Sequence, residues 1–348
     1  MPNTTPVIYA TADWCIHDDR WVAALVTNGF DPICFSVKTK DCVVPDGTTV
    51  VNSAQELRAR IDARIAERQI PILAGPLTTI TKHLMGANAR VVGLSWGWDL
   101  QPEALGEVLD PGALAWISDL DALIVDSIVT EQIAQDLGLA PERISNIPWG
   151  IDTELFTPQG PKADLAQWGA AAGDRVVLSL RAHTPIHRVG DIVEAFATAI
   201  NEDPRLFLLI GGDGPLRRTL EARVNELGIE HRTAFIGMLP EEDLPALLRA
   251  VDLYVAATAV DGTSVTLLQA LACGVRVLVS DIPGNLPWIE DVESETVKVG
   301  AIGEMGQAIA KFSLKPQTRQ RLRKQPLTPR VNWDRNVQAL VWTLSPFE

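Results

Sequence analysis

The stretch LFLLIGGDGP, residues 206–215, decides how the second half of the chain is read. The apolar run from Leu206 to Ile210 reads as a short buried strand. Gly211, Gly212, Asp213 and Gly214 follow at once, so the chain turns sharply before the next helix, and glycine makes such a turn sterically accessible. The loop is neither a GxGxxG dinucleotide fingerprint nor a P-loop ending in Gly-Lys-Ser/Thr. Taken alone it reads either as a structural turn or as backbone brought up to a ligand.

The same unit repeats outward from this point. Val176 to Leu180, Thr233 to Ile236, Leu253 to Ala256 and Val275 to Val279 are further short apolar runs. Helix-length segments near 191–200, 215–227, 241–250 and 263–273 lie between them, which predicts a parallel sheet with helical crossovers. Right-handed crossovers place the loops after the strands on one sheet edge, where a ligand crevice is expected. Upstream, Val7 to Ala10, Ile70 to Ala74, Arg90 to Leu94 and Ala122 to Val125 read as strands of a first such unit. Ser53 with Glu56 has capping-box spacing, and Leu57, Ile61 and Ile65 mark one face of the helix that follows. Between the halves, prolines 148, 158 and 161 and glycines 150, 160, 169 and 173 interrupt regular structure and mark the domain boundary.

The 348 residues, 47% of them hydrophobic, are enough for two domains with cores of their own. A formal charge of −14 disfavours a global footprint for nucleic acid or anionic lipid and leaves local cationic pockets open. Cys15, Cys34, Cys42 and Cys273 form no CxxC pair and read as buried or free thiols in a reducing compartment, so no metal site is expected. The start MPNTTPVIYATADW has neither a basic leader nor a long apolar run, and no stretch approaches the ~18 apolar residues of a membrane helix. The expectation is a cytoplasmic protein, with peripheral membrane contact left open. Arg319, Arg321, Arg323, Lys324 and Arg330, near Trp333 and Trp342, read as a solvated amphipathic end rather than an RNA-binding one.

Arg181 closes one strand, and His183, His187 and Arg188 occupy the loop after it. Two arginines there suit a diphosphate clamp, because guanidinium groups match phosphate oxygens and keep their charge, or they make surface ion pairs. In 259–265, AVDGTSV, Gly262 permits close approach and the amides near Thr263 and Ser264 open a helix toward an anion. Asp261 is the nearest carboxylate or a helix cap. Gln269, two turns on, is a hydrogen-bonding group for sugar or ribose hydroxyls or an exposed polar residue.

In order and spacing, IPWGIDTELFTP (147–158), SLRAHTPIHRVGDIVEAFA (179–197), GGDGP (211–215), FIGMLPEEDLPALLRAVDLYV (235–255) and DGTSVTLLQALACGVRVLVSDIPGN (261–285) resemble the retaining nucleotide-sugar glycosyltransferases of the GT-B class 4 family. The resemblance implies an α/β GT-B fold of two Rossmann-like parallel-sheet domains facing across a cleft. It implies an acceptor-binding domain over 1–152, with the helix 333–348 crossing back to it, and a nucleotide-sugar domain over 153–332. The implied reaction moves a hexosyl or N-acetylhexosaminyl group, with retention, from a nucleotide diphosphate sugar, UDP leading, to the hydroxyl of a saccharide, natural product or glycan, without a metal or other cofactor. An epimerase, a phosphorylase or a catalytically silent sugar-binding protein is the alternative on the same fold.

By this resemblance Arg181 contacts the donor diphosphate and Arg188 stands for the family's usual lysine. The backbone at Gly237 and Met238 receives the base, and Gly262, Thr263, Ser264 and Gln269 line the nucleotide sugar. Asp261 and Gln269 replace two glutamates eight positions apart, and Asp261 is expected to orient the donor sugar. In the first domain, Trp96 of the loop SWGWD (95–99) stands where many relatives carry a histidine, and Asp99 is a candidate for sugar hydroxyls. The segment ATADWCIHDDR (10–20) takes the place of the family's glycine-rich loop and offers Asp13, His17 and Asp18 as acceptor-loop residues.

Overall fold

Each short apolar run becomes a strand because its alternate residues meet two different helical layers. In 175–180, Val176 and Leu178 join one buried cluster with Leu267, Leu268 and Leu271, while Val177 joins another with Ile192, Phe196 and Leu220. A strand covered on both faces has no polar side, so these segments read as unbroken hydrophobic runs. The structure, a computed structural model, describes residues 4–38, 44–101, 112–290, 294–313 and 331–345.

The chain forms two compact units, Met1–Pro148 with Trp333–Glu348, and Trp149–Asn332. In the first, the described strands are β1 (Thr5–Ala12), β2 (Phe30–Val37), β3 (Thr49–Val51), β4 (Ile72–Ala74), β5 (Val91–Leu94), β6 (Ala122–Val125) and β7 (Ile144–Asn146). They pair in the order β3-β2-β1-β4-β5-β6-β7, all parallel. The helix Ala54–Glu67 starts where the Ser53 Oγ accepts from the Glu56 amide at 3.1 Å, and it buries Leu57, Ile61 and Ile65 as the spacing requires. The terminal helices Trp333–Asn336 and Ala339–Leu344 belong to this unit. Trp333 meets Trp21 edge-on at 5.2 Å, Thr343 shares a 2.7 Å hydrogen bond with Ser145, and Arg90 donates to the Thr343 carbonyl at 3.1 Å.

The second unit carries β8 (Arg175–Leu180), β9 (Leu206–Gly211), β10 (Thr233–Gly237), β11 (Leu253–Ala256), β12 (Arg276–Ser280) and β13 (Ser294–Val297), in the order β10-β9-β8-β11-β12-β13, again all parallel. Both sheets therefore reverse direction once, between β1 and β4 and between β8 and β11, and such a switch point leaves room for a ligand outside the strand ends. The unit's two ends are tied side by side by the Ile151 amide donating to the Val331 carbonyl at 2.7 Å. The basic positions Arg319 to Arg330 and Cys42 lie outside the described residues, whereas Cys15, Cys34 and Cys273 are free thiols. No helix among the described residues is long and apolar enough to cross a membrane.

The GGDGP loop is a structural turn in this architecture. Gly212 and Gly214 take φ of +100° and +154°, and the Gly212 amide donates to the Gly237 carbonyl at 2.8 Å. A Cβ on Gly212 would collide with the Arg181 carbonyl, and one on Gly214 would sit 2.7 Å from the His183 carbonyl. The loop thus presses directly on the backbone that carries Arg181. Gly212→Ala is expected to cost more than about 2 kcal/mol, summing left-handed strain and overpacking. Urea unfolding of the variant checks it, and an unchanged midpoint would refute the close approach.

Candidate functional site

At the switch point of the second sheet, Arg181 leaves the end of β8 and meets the loop that leaves β11. Its guanidinium donates to Asp261 Oδ2 at 2.6 Å and to Ser264 Oγ at 3.0 Å. The side chains of Arg181 and Asp261 are 10% and 18% exposed, so the pair is largely desolvated, and removing either partner would strand a charge. Burial works against the Arg181 charge, but Asp261 outweighs it, and the guanidinium stays above its ordinary pKa. Ser264 also caps the helix Val265–Ala272, its Oγ accepting from the Leu267 amide at 3.4 Å. One hydroxyl therefore links the cation to the helix start.

A third partner is His187, which the sequence placed in this loop without a role. His187, in the 3-10 turn Pro185–His187, places Nδ1 3.1 Å from Arg181 Nη2 and 3.4 Å from both Arg181 Nε and Thr258 Oγ1. Arginine is donor only, so Nδ1 accepts and the ring proton sits on Nε2. Burial and then the Arg181 charge push the imidazole down to about 3, and it is neutral at physiological pH. The loop is held by the Ala259 amide donating to the Ile186 carbonyl at 2.8 Å.

The structure separates Arg188 from this cluster in role. Arg188 occupies left-handed backbone at φ +47° ahead of the helix Val189–Ala199, and its Nε donates to Asp191 at 2.7 Å. The ring beside Arg181 is His187, one position earlier, because the turn through Pro185 points that side chain back at the strand end. Gly262, Thr263 and Ser264 are buried, as is Gln269, which rules out the exposed-glutamine reading. A Cβ on Gly284, after β12, would collide with the Asp261 and Gly262 carbonyls, so that glycine fixes the turn from outside. Gly237 ends β10 at φ +69° with open space where a Cβ would be, and Met238 beside it is 75% exposed.

In the first unit, the segment read as an acceptor loop is partly a helix, Ile16–Thr27. Asp18 is fully buried in its first turn, accepting from the Tyr9 hydroxyl at 2.8 Å and the Cys15 amide at 2.7 Å. Burial lifts its pKa, the hydrogen bonds opposing. Asp99 is likewise buried: Oδ1 accepts from Ser95 Oγ at 2.7 Å and the Trp96 amide at 3.0 Å, and Oδ2 from the Leu77 amide at 2.8 Å. Both carboxylates are thus engaged by internal donors that fix their own loops. Asp13 and His17 are half-buried at the end of β1 and the start of the helix. His17 stacks edge-on with Trp96 at 5.6 Å, and the indole N–H of Trp96 is buried with no hydrogen-bond partner among the described residues. No cluster of metal-ligating side chains occurs among the described residues.

A family model described as "Glycosyl transferases group 1" matches residues 162–326. The D-inositol 3-phosphate glycosyltransferase of Saccharomonospora viridis is 28% identical over 241 residues, which is 65% of this chain and 55% of that protein. The chain thus spans about half the length of that relative. Among solved structures, the fold is similar to sucrose-phosphate synthase from Thermosynechococcus elongatus, with TM-score 0.73, 17% identity and coverage of 97% and 94%. It is also similar to Anabaena HepE in complex with UDP-glucose, with TM-score 0.69, 17% identity and coverage of 97% and 95%.

Burial raises Asp99 to about 6 against the pull of its three donors. The folded chain then holds this proton more tightly than the unfolded chain, so the stability Asp99 contributes is complete below its unfolded pKa and is lost as pH rises through about 6. The loss is on the order of 3 kcal/mol. Urea titrations between pH 4.5 and 7 are expected to show a flatter pH dependence for Asp99→Asn than for wild type. Parallel curves would refute the assignment.

Proposed function

We propose that the chain is a group 1 glycosyl transferase, the family whose model matches residues 162–326, and that it transfers a sugar from a nucleotide diphosphate sugar to an acceptor hydroxyl with retention at the anomeric carbon. The observation that carries this reading is the buried Arg181 cation beside the 261–264 turn at a doubly wound switch point. A departing diphosphate gains negative charge as the anomeric C–O bond breaks, and a fixed guanidinium with the Ser264 hydroxyl beside it stabilises that charge without reorganising. The acceptor oxygen forms the new bond on the same face, and its proton passes to the leaving phosphate. The chain's own residues therefore supply electrostatics and orientation, with no metal step.

The placement of the other residues supports further roles in this proposal. The open backbone at Gly237 and exposed Met238 suit the nucleotide base, and Asp261 orients the donor sugar. Arg188 acts at longer range than Arg181, since Asp191 already engages it. Acceptor contacts fall to the first unit at Asp13, His17 and Trp96, where the unpartnered indole N–H suits a hydroxyl oxygen. UDP is the leading nucleotide because HepE, of like fold, is described with UDP-glucose. A hexosyl or N-acetylhexosaminyl donor, a saccharide or glycan acceptor and a cytoplasmic location complete the proposal.

The test is a panel of UDP- and GDP-sugars with mass analysis of products. Free nucleotide diphosphate with an extended glycoside supports transfer. Donor isomerisation, phosphate-dependent cleavage, or binding without turnover would each replace it. Arg181→Ala is expected to weaken UDP binding about 30-fold or more by calorimetry. Asp261→Asn is expected to keep UDP affinity, or raise it by freeing Arg181, while turnover falls about 100-fold. Equal loss of both would show that Asp261 serves folding alone.

A further inference from the structure

We propose that His187 is a proton-accepting positioning residue of the donor site, a neutral partner that aligns Arg181 in the empty chain and becomes a second cation when a nucleoside diphosphate binds. The inference rests on the reading of Arg181 as the diphosphate contact. Its geometric basis is the pair of approaches from the guanidinium to one imidazole nitrogen, at 3.1 and 3.4 Å, on a loop tethered to the segment after β11.

Arg181 is the charge that faces the ring, and the other charged or titratable groups of the cluster come from neighbouring segments. Arg181 lies at the end of β8, and Asp261, with Thr258 Oγ1, lies on the loop after β11. Tyr254 on β11 is a buried phenol whose pKa burial lifts to about 12, so it stays neutral. Arg188 follows in the chain and is engaged by Asp191. In the empty chain the ring therefore faces a cation through its acceptor nitrogen, with Asp261 already committed to that cation. An arriving diphosphate reverses the local sign. Arg181 turns donors toward phosphate oxygens, which frees Nδ1, and Nδ1 takes one proton from solvent and becomes a donor. The bond broken is the guanidinium hydrogen bond to Nδ1, and the net change is one proton gained. His187 thus supplies at the moment of binding a second positive charge, while Arg188 is paired with Asp191.

Calorimetric titration of UDP into the full chain, in buffers of differing ionisation enthalpy between pH 6.5 and 8, reads the proton count directly. Wild type is expected to take up a larger proton fraction than His187→Gln, which keeps a hydrogen-bonding side chain but does not titrate. UDP affinity should fall with rising pH by up to about tenfold per unit in wild type and less in the variant. Equal proton uptake and parallel pH profiles would overturn the inference while leaving the donor site intact. Absence of UDP binding in the wild type would overturn both. Nitrogen-15 histidine spectra of the wild-type chain give a reading independent of the variant's folding: UDP should convert the His187 Nδ1 signal from acceptor to protonated, and an unchanged signal refutes the proposal.

Discussion

Keeping one guanidinium charged inside a sheet switch point is the constraint around which the second unit is built. Removing a cation from water costs several kcal/mol unless its donors are satisfied. Arg181 meets that demand with three partners from two loops, Asp261 and Ser264 after β11 and His187 after β8. Those loops converge because β8 and β11 are neighbours in the sheet although they are remote in the chain. The glycines at 212, 214 and 284 then serve one purpose. Each removes a side chain where backbone must lie against the segments bearing Arg181, His183 or Asp261.

The shortened acid at 261 fits the same constraint. An aspartate reaches the guanidinium from a turn pressed close by Gly284, and Ser264 closes the gap from the helix start. The arrangement leaves Arg181 held in direction but neutralised, so an anion entering the site competes with Asp261 for it. On the proposed function, affinity and catalysis are thereby separated: what weakens the internal pair exposes the cation, and what removes the acid removes the group assigned to orient the sugar.

Much of this is legible in the sequence. Ala122 to Val125 and Leu253 to Ala256 coincide with β6 and β11, and the helix capped by Ser53 lies where its spacing puts it. Runs buried on both faces announce themselves as uninterrupted apolar segments. Strands with mixed polarity do not: β3, β7 and β13 are short and only partly apolar, and β2 is broken by Asp31 and Pro32, so none of the four stands out, whereas the edge strand β10 does. Arg181 and Asp261 were legible as strand-end and helix-start residues, and their pairing at 2.6 Å was not, because 80 residues separate them. The choice between His187 and Arg188 depended on one turn. The 3-10 geometry at Pro185 and the positive φ at 188 decide which of two adjacent cationic types faces the strand end, and no spacing rule contains that information.

The two units share a strand order and differ in what they bury at the switch. The second buries a cation with its partners. The first buries acids: Asp18 beneath the end of β1, and Asp99 after β5, bonded to the Leu77 amide that follows β4. Polarity next to a strand end suggested both as ligand contacts, and in the structure internal donors tie both to their own loops. Groups that shape a loop and groups that meet a ligand carry the same side chains, and burial with complete hydrogen bonding separates them. What the fixed loops leave half-buried is Asp13, His17 and the indole of Trp96, and the proposed acceptor site rests on these three. On that proposal a change of acceptor would be written at those three positions, while Asp18 and Asp99, whose loss would release the loops, stay as they are.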